Sequence, residues 1–256
     1  MKEKISITLD NSLLQRIDNL IDGINIRNRS QAIEFLIRKA LSKKDVKDAI
    51  ILAGGELKKL KYGNTYKPLV KVNGKIVVLN TIQKLKEAGV ERIIIAAGPI
   101  TDKIFEIVGD GSEYGVSVIY LKDDGIGTAG VIKKAERYLD SPFFVIFGDE
   151  YFDFNLKKMV DFHQANKGLV TMAISVTSIN RSQDVVKIVG NKVVEFKYPA
   201  LKEKTYHVNT GIYIMEPEIL SQLPSKGSLE KLVLPKLAKA GKLLGFVFSG
   251  EWKHIG

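Results

Sequence analysis

Residues 48–69 read DAIILAGGELKKLKYGNTYKPL, and this stretch decides the fold. Ala49 to Ala53 is a short apolar run without a polar interruption. It stops at Gly54-Gly55, and a basic loop leads on to Lys67-Pro68-Leu69. A strand that is apolar on both faces belongs inside a sheet covered on both sides. Glycines directly after such a strand let backbone N–H groups approach an anion, and lysines add charge. The stretch therefore predicts an α/β domain with an anion site at the end of its first strand.

The chain beyond it keeps the alternation. Segments 91–98, 116–121, 142–149 and 169–177 read as strands. Segments 79–89, 100–108, 128–139 and 157–165 read as helices. This order predicts a Rossmann-like, mostly parallel sheet with helices on both faces. Ligands of such sheets bind beyond the carboxyl ends of the strands. Gly54-Gly55, Gly98 and Gly148-Asp149 all fall at such ends. From residue 183 the strands VVKIV, KVVEFKY and HVNTGIYIM follow closely, which predicts an antiparallel extension lying over the pocket. Segments 216–223 and 229–240 read as helices.

Upstream, residues 4–9 alternate. Ile5, Ile7 and Leu9 point one way, and Lys4, Ser6 and Thr8 the other. Asp10 or Asn11 is suited to cap a helix carrying Leu13, Leu14, Ile17, Leu20 and Ile21, which Gly23 ends. Ser30 is the expected cap of a second helix carrying Ile33, Leu36, Ile37, Ala40 and Leu41. The run SKKDVKD reads as a linker. One strand and two helices in about 45 residues bury too little core alone. The lone strand also has two unpaired edges. A second copy of the same strand solves both problems.

Residues 2–43 resemble a ribbon-helix-helix DNA-binding domain. The resemblance implies a unit over 1–44 that forms a homodimer through an antiparallel ribbon entering the major groove. Lys4, Ser6 and Thr8 then meet base edges. The second helix brings Asn28, Arg29 and Ser30 to a backbone phosphate. A unit that only dimerises has the same apolar pattern.

The formal net charge is +10 and the pI about 9.4, which suits an anionic partner. Residues 1–47 hold 10 Lys+Arg against 6 Asp+Glu, so both parts of the chain are basic. The absence of cysteine excludes a disulfide framework and thiolate metal sites and fits a cytoplasmic location. No apolar run is long enough for a membrane span, and the first residues lack a signal-peptide core.

Residues 45–256 resemble a sugar-1-phosphate nucleotidylyltransferase, through six segments in order. LAGG (52–55) matches the nucleotide loop, and KPLV (67–70) the signature lysine and proline. IGTAG (126–130) matches a loop-to-helix turn in the nucleotide pocket, and FGD (147–149) the strand-end aspartate. VNTGIYIM (208–215) matches a strand at the sugar pocket, and WKHIG (252–256) the segment carrying a second metal ligand. The resemblance implies attack by a sugar-1-phosphate oxygen on the α-phosphorus of a nucleoside triphosphate. Lys67, Lys59 and Asp149 take the catalytic roles. Leu52, Ala53, Gly54, Gly55, Gly127 and Thr128 bind nucleotide, and Asn209, Gly211 and Lys197 bind sugar. Asp149 and His254 hold the metal, Mg²⁺ or alternatively Mn²⁺.

Three departures stand out. Leu57, Lys58 and Lys59 replace the usual glycine, threonine and arginine, so a turn needing glycine at Leu57 would be strained. His254 replaces the metal-binding aspartate, and imidazole is a poor Mg²⁺ ligand. VVEFKYPA (193–200) only loosely matches the sugar-side Glu-Lys-Pro element. The expected function is a DNA-binding transcription regulator whose larger domain binds nucleotide or nucleotide-sugar. The alternative is an active nucleotidyltransferase that the N-terminal unit dimerises. No membrane partner is expected.

Overall fold

The computed structural model describes residues 5–23, 26–41, 45–177, 184–197 and 206–256. The chain divides into two units, Met1–Lys44 and Asp45–Gly256. In the first, α1 (Asn11–Asp18) begins where Asp10 Oδ1 accepts from the Leu13 N–H at 2.8 Å. In α2 (Arg29–Leu41) the capping oxygen is Asn28 Oδ1, which accepts from the Gln31 N–H at 3.0 Å. Ser30, expected as the cap, lies instead inside the first turn. The two helices bury Ile17 and Ala32.

The strand expected over 4–9 is not formed in residues 5–9, and Lys4 lies outside the described residues. A strand needs a ladder, and these residues pair with none of the described residues of this unit. Ile5 and Ile7 are 71% and 53% exposed, and Leu36 and Ile37 of α2 are also exposed. Arg29 reaches Asp18 with both Nε and Nη2, at 2.7 and 2.8 Å.

The second unit opens with β1 (Asp48–Leu52) and the short helix α3 (Leu57–Leu60). Two small hairpins follow, β2 (Lys61–Tyr62) with β3 (Thr65–Tyr66) and β4 (Lys71–Val72) with β5 (Lys75–Ile76). Then come α4 (Val77–Glu87), β6 (Arg92–Ala97), α5 (Thr101–Val108), β7 (Ser117–Lys122), α6 (Gly127–Lys134) and β8 (Phe143–Phe147). The chain continues through β9 (Glu150–Asp153), α7 (Leu156–Asn166), β10 (Val170–Thr177), β11 (Val185–Val189), β12 (Lys192–Lys197) and β13 (Tyr206–Met215). It closes with α8 (Leu229–Leu232), α9 (Leu234–Lys239), β14 (Leu243–Val247) and β15 (Glu251–His254).

The main sheet runs β10-β14-β12-β11-β13-β8-β1-β6-β7. Strands β8, β1, β6 and β7 are parallel, and β13 joins β8 antiparallel. The expected α/β sheet is therefore present. The later strands continue this sheet instead of covering the pocket. Two expected helices differ. Segment 216–223 forms a 3-10 turn, and 229–240 is broken at Val233 before Pro235, whose ring cannot donate to a continuous helix.

The strands are apolar throughout because both faces are packed. Ile50, Ile94 and Val145 meet Ile132 of α6 and Leu237 of α9 on one side. Ala49, Ile51, Ile93 and Ile95 meet Ile82 and Leu85 of α4 and Ile104 of α5 on the other. Each fully buried isoleucine contributes about 1.5–3 kcal/mol of transfer free energy. Leu52 lies opposite both Ala96 and Phe147. Three strand ends therefore stop at one level, and their loops converge there. Among the described residues, no helix is long and apolar enough to cross a membrane.

Candidate active site

Those loops enclose a cavity of about 350 Å³. Its floor is the strand end Leu52-Ala53 and the two glycines after it. Gly54 cannot carry a Cβ, which would fall on Asp123 Oδ2, and Gly55 has φ +128°. From there the chain enters α3 with Leu57 at its first residue. Leu57 is not among the described residues with positive φ, so the strain expected at this position is absent. The left-handed step is taken at Gly55, two residues earlier. Lys59 lines the cavity and pairs with Glu56 at 2.8 Å, both side chains being largely exposed. It sits at the rim as an exposed charge and lacks the planar fork of an arginine.

Gly148 brings the end of β8 close to the end of β1. Its N–H donates to the Leu52 carbonyl at 2.8 Å, and a Cβ there would meet the Ala53 Cβ at 2.9 Å. Asp149 then lines the cavity, with Lys67 Nζ 3.4 Å from its Oδ2. Lys67 belongs to a 3-10 turn, Lys67–Leu69, whose Pro68 is buried. The sequence-predicted pair Lys67 and Asp149 is thus brought together across 82 residues of chain.

The opposite wall is the start of α6. Gly127 and Thr128 line the cavity as expected. A Cβ on Gly127 would meet the Gly227 carbonyl oxygen at 2.5 Å. The Thr128 hydroxyl is engaged internally. It accepts from the Leu229 N–H at 2.7 Å and donates to Glu230 Oε2 at 2.9 Å. Thr128 therefore offers its backbone to a ligand. Asp123, which sequence reasoning missed, stands beside Gly54 and receives the Gly125 N–H at 2.8 Å. The only sequence signal for it was an acid before the IGTAG turn.

On the side of β13, Gly211 has φ +70° and lies against Phe147 and Glu150. Asn209 Oδ1 accepts from the Tyr213 hydroxyl at 2.9 Å and from the Gly211 N–H at 3.2 Å. Its amide side chain also hydrogen-bonds the Asp184 carboxylate, so Asn209 is held from both ends. The side chain of Lys197 lies outside the described residues.

The strand pair β9–β15 completes the site, with Glu150 opposite His254 and Phe152 opposite Trp252. Glu150 is 4% exposed. Its Oε2 accepts from Trp252 Nε1 at 2.8 Å, and its Oε1 lies 2.9 Å from His254 Nδ1. Trp252 and His254, two residues apart on one face, hold the two oxygens of one carboxylate. Burial pushes the Glu150 carboxyl up to about 8. The hydrogen bond of His254 to the accepting Glu150 carboxylate raises the imidazole. Asp149, Glu150 and His254 place ligand atoms within 4.8 Å of one another. Mg²⁺, implied by the resemblance, demands oxygen donors in near-octahedral array. With Glu150 engaged by Trp252 and His254, the set reduces to an Asp149 oxygen and His254 Nε2. One carboxylate and one imidazole do not fit Mg²⁺ as two carboxylates would, and we assign no chemical step to it.

The chain belongs to the nucleotidyl transferase family, whose pattern matches residues 48–256. It is 31% identical over 199 residues to the mannose-1-phosphate guanyltransferase of Kluyveromyces lactis, covering 74% of this chain and 55% of that protein. It is 30% identical to the protein of the same name from Saccharomyces cerevisiae, with the same coverage. The chain thus spans about half the length of these relatives. Among solved structures, HddC from Yersinia pseudotuberculosis is similar with a TM-score of 0.69 and 26% identity, covering 82% of this chain and 93% of that one. The same protein was solved in complex with GMP-PN, with a TM-score of 0.68 and 27% identity. These relatives favour the transferase alternative over the regulator that the N-terminal pattern first suggested.

Proposed function

We propose that the chain is an active sugar-1-phosphate nucleotidyltransferase. A phosphate oxygen of the sugar phosphate attacks the α-phosphorus of a nucleoside triphosphate. The bond from that phosphorus to the oxygen bridging to the β-phosphorus breaks, and pyrophosphate leaves with the electron pair. The observation that carries the reading is the meeting of Lys67 and Asp149 at the edge of a glycine-walled cavity at three strand ends. Two polyanions must approach, so charge neutralisation and positioning supply most of the catalysis. Lys67 neutralises phosphate charge from a half-buried position. Lys59 adds a second positive charge at the rim, and the Gly54-Gly55 backbone and the start of α6 offer N–H groups.

The relatives' names support guanine as the base and mannose-1-phosphate as the acceptor. Asp123 gives a chemical reason for guanine. A carboxylate accepts from guanine N1–H and its 2-amino group together, and adenine presents no such pair. Pyrophosphate release should therefore be fastest with GTP. Asp123→Asn should reduce the preference for GTP over ATP by about tenfold, or about 1.4 kcal/mol. Release with no nucleotide and sugar-1-phosphate combination would sink the transferase reading. An unchanged preference in the variant would sink only the role of Asp123.

A second reading concerns the N-terminal unit, where the exposure of Ile5 and Ile7 favours pairing with a second copy. In this reading the strands of two copies pair into one antiparallel ribbon, the transferase domains become a dimer, and Lys4, Ser6 and Thr8 face DNA. Ile5→Asp with Ile7→Asp should convert a dimer to a monomer by light scattering and abolish low-salt DNA binding. DNA binding that survives in the monomer, or a wild-type monomer, would refute it.

A further inference from the structure

The pair Glu150–His254 does not read as a decayed metal site. A buried carboxylate costs stability unless it is engaged, and here both its oxygens are engaged. One partner is the residue that replaces the family's aspartate. In its neutral form, an imidazole whose Nδ1–H is held by a carboxylate keeps a lone pair on its other nitrogen, Nε2. That arrangement orients metal-binding histidines and strengthens them as donors. His254 Nε2 faces the same space as Lys67 Nζ, since both lie near Gly256. Asp149 reaches that space from β8. Asp149 and His254 are two of three neighbouring residues whose possible ligand atoms lie within 4.8 Å of one another.

We propose that Glu150 positions His254 so that Asp149 and His254 Nε2 form a mixed oxygen–nitrogen site selective for a divalent transition ion, with Mn²⁺ preferred over Mg²⁺. Mg²⁺ is hard and loses its water reluctantly. First-row transition ions accept imidazole readily and still tolerate carboxylate and phosphate oxygens. Glu150 is a positioning residue that acts through the imidazole. The departure at position 254 and the acid at position 150 are then one adaptation, joined by the register of β9 and β15.

The proposal rests on the transferase reading for the identity of the site, and its test uses no substrate, so the two can fail separately. The full chain is titrated with Mn²⁺, and free Mn²⁺ is followed by its electron paramagnetic resonance signal, with and without Mg²⁺ as competitor. One Mn²⁺ per chain should bind at least tenfold more tightly than Mg²⁺. The bound ion should show nitrogen-14 modulation in a spin-echo experiment, the signature of a coordinated imidazole. His254→Asp should abolish that modulation and bring the preference for Mn²⁺ below threefold. Glu150→Gln should weaken Mn²⁺ binding by about ten- to a hundredfold. The wild-type modulation keeps the test decisive if that variant does not fold. Absence of Mn²⁺ binding, equal affinity for the two ions, or bound Mn²⁺ without nitrogen modulation would overturn the proposal. Pyrophosphate release with Mg²⁺ alone would then still leave the transferase reading intact.

Discussion

Asp149→Asn should lower the rate of pyrophosphate release by about a hundred- to a thousandfold, with little change in thermal stability. The substitution keeps the size of the side chain. It also keeps the backbone contacts that fix the strand end, namely the Gly148 N–H on the Leu52 carbonyl and the Ile255 N–H on the Asp149 carbonyl at 2.8 Å each. What it removes is a negative charge 3.4 Å from Lys67 Nζ. The two side chains are only 18% and 25% exposed, so water screens this pair less than it would a surface pair. Without the carboxylate, Lys67 loses the group that holds it at the cavity edge. The loss should therefore appear in the rate under saturating substrates. A stopped assay of pyrophosphate at saturating nucleotide, beside a melting curve, checks it. A rate within threefold of the parent would remove Asp149 from the chemistry.

The second large effect is expected at Gly127, the first residue of α6. Gly127→Ala must place a Cβ in a backbone with φ +82°, where L-residues are strained by about 1–2 kcal/mol. The same Cβ would meet the Gly227 carbonyl oxygen at 2.5 Å. That carbonyl cannot step aside freely, because it accepts from the Ala129 N–H at 3.0 Å while the Gly227 N–H donates to Ile126 at 2.8 Å. The loop and the helix start must separate, and the cavity wall moves with them. A stability loss of about 2–4 kcal/mol and a fall in nucleotide affinity of tenfold or more are expected. Gly125→Ala is the matched control. Its φ is +73°, but nothing lies within 4 Å of the Cβ position, so only the backbone cost of about 1 kcal/mol applies. Equal losses in the two variants would show that the contact with Gly227 is immaterial.

The sheet was legible because its central strands carry their burial in their composition. Ile50 and Ile51 are both fully buried although they point to opposite faces, and only an uninterrupted apolar run permits that. Lys67 and Asp149 were legible because each sits in a short segment whose chemistry is local. Leu57 misled because the resemblance puts a glycine at this position, whereas the chain completes its left-handed step at Gly55 and enters a helix. Glu150 was invisible for a different reason. Its meaning comes from Trp252 and His254, a hundred residues away, and that register is a property of tertiary pairing. Asn28 displaced Ser30 as cap because two short polar residues competed and backbone geometry chose between them. The segment 5–9 shows the limit of reading one chain, since its alternation forms no strand among the described residues.

Trp252 is the single tryptophan of the sequence. Its indole N–H is bonded to the same carboxylate that touches His254. The ultraviolet emission of this protein therefore comes mainly from beside the cluster of Asp149, Glu150 and His254, and the chain carries its own optical reporter there. Whatever enters or leaves the space between Asp149 and His254 alters the electric field at that one indole.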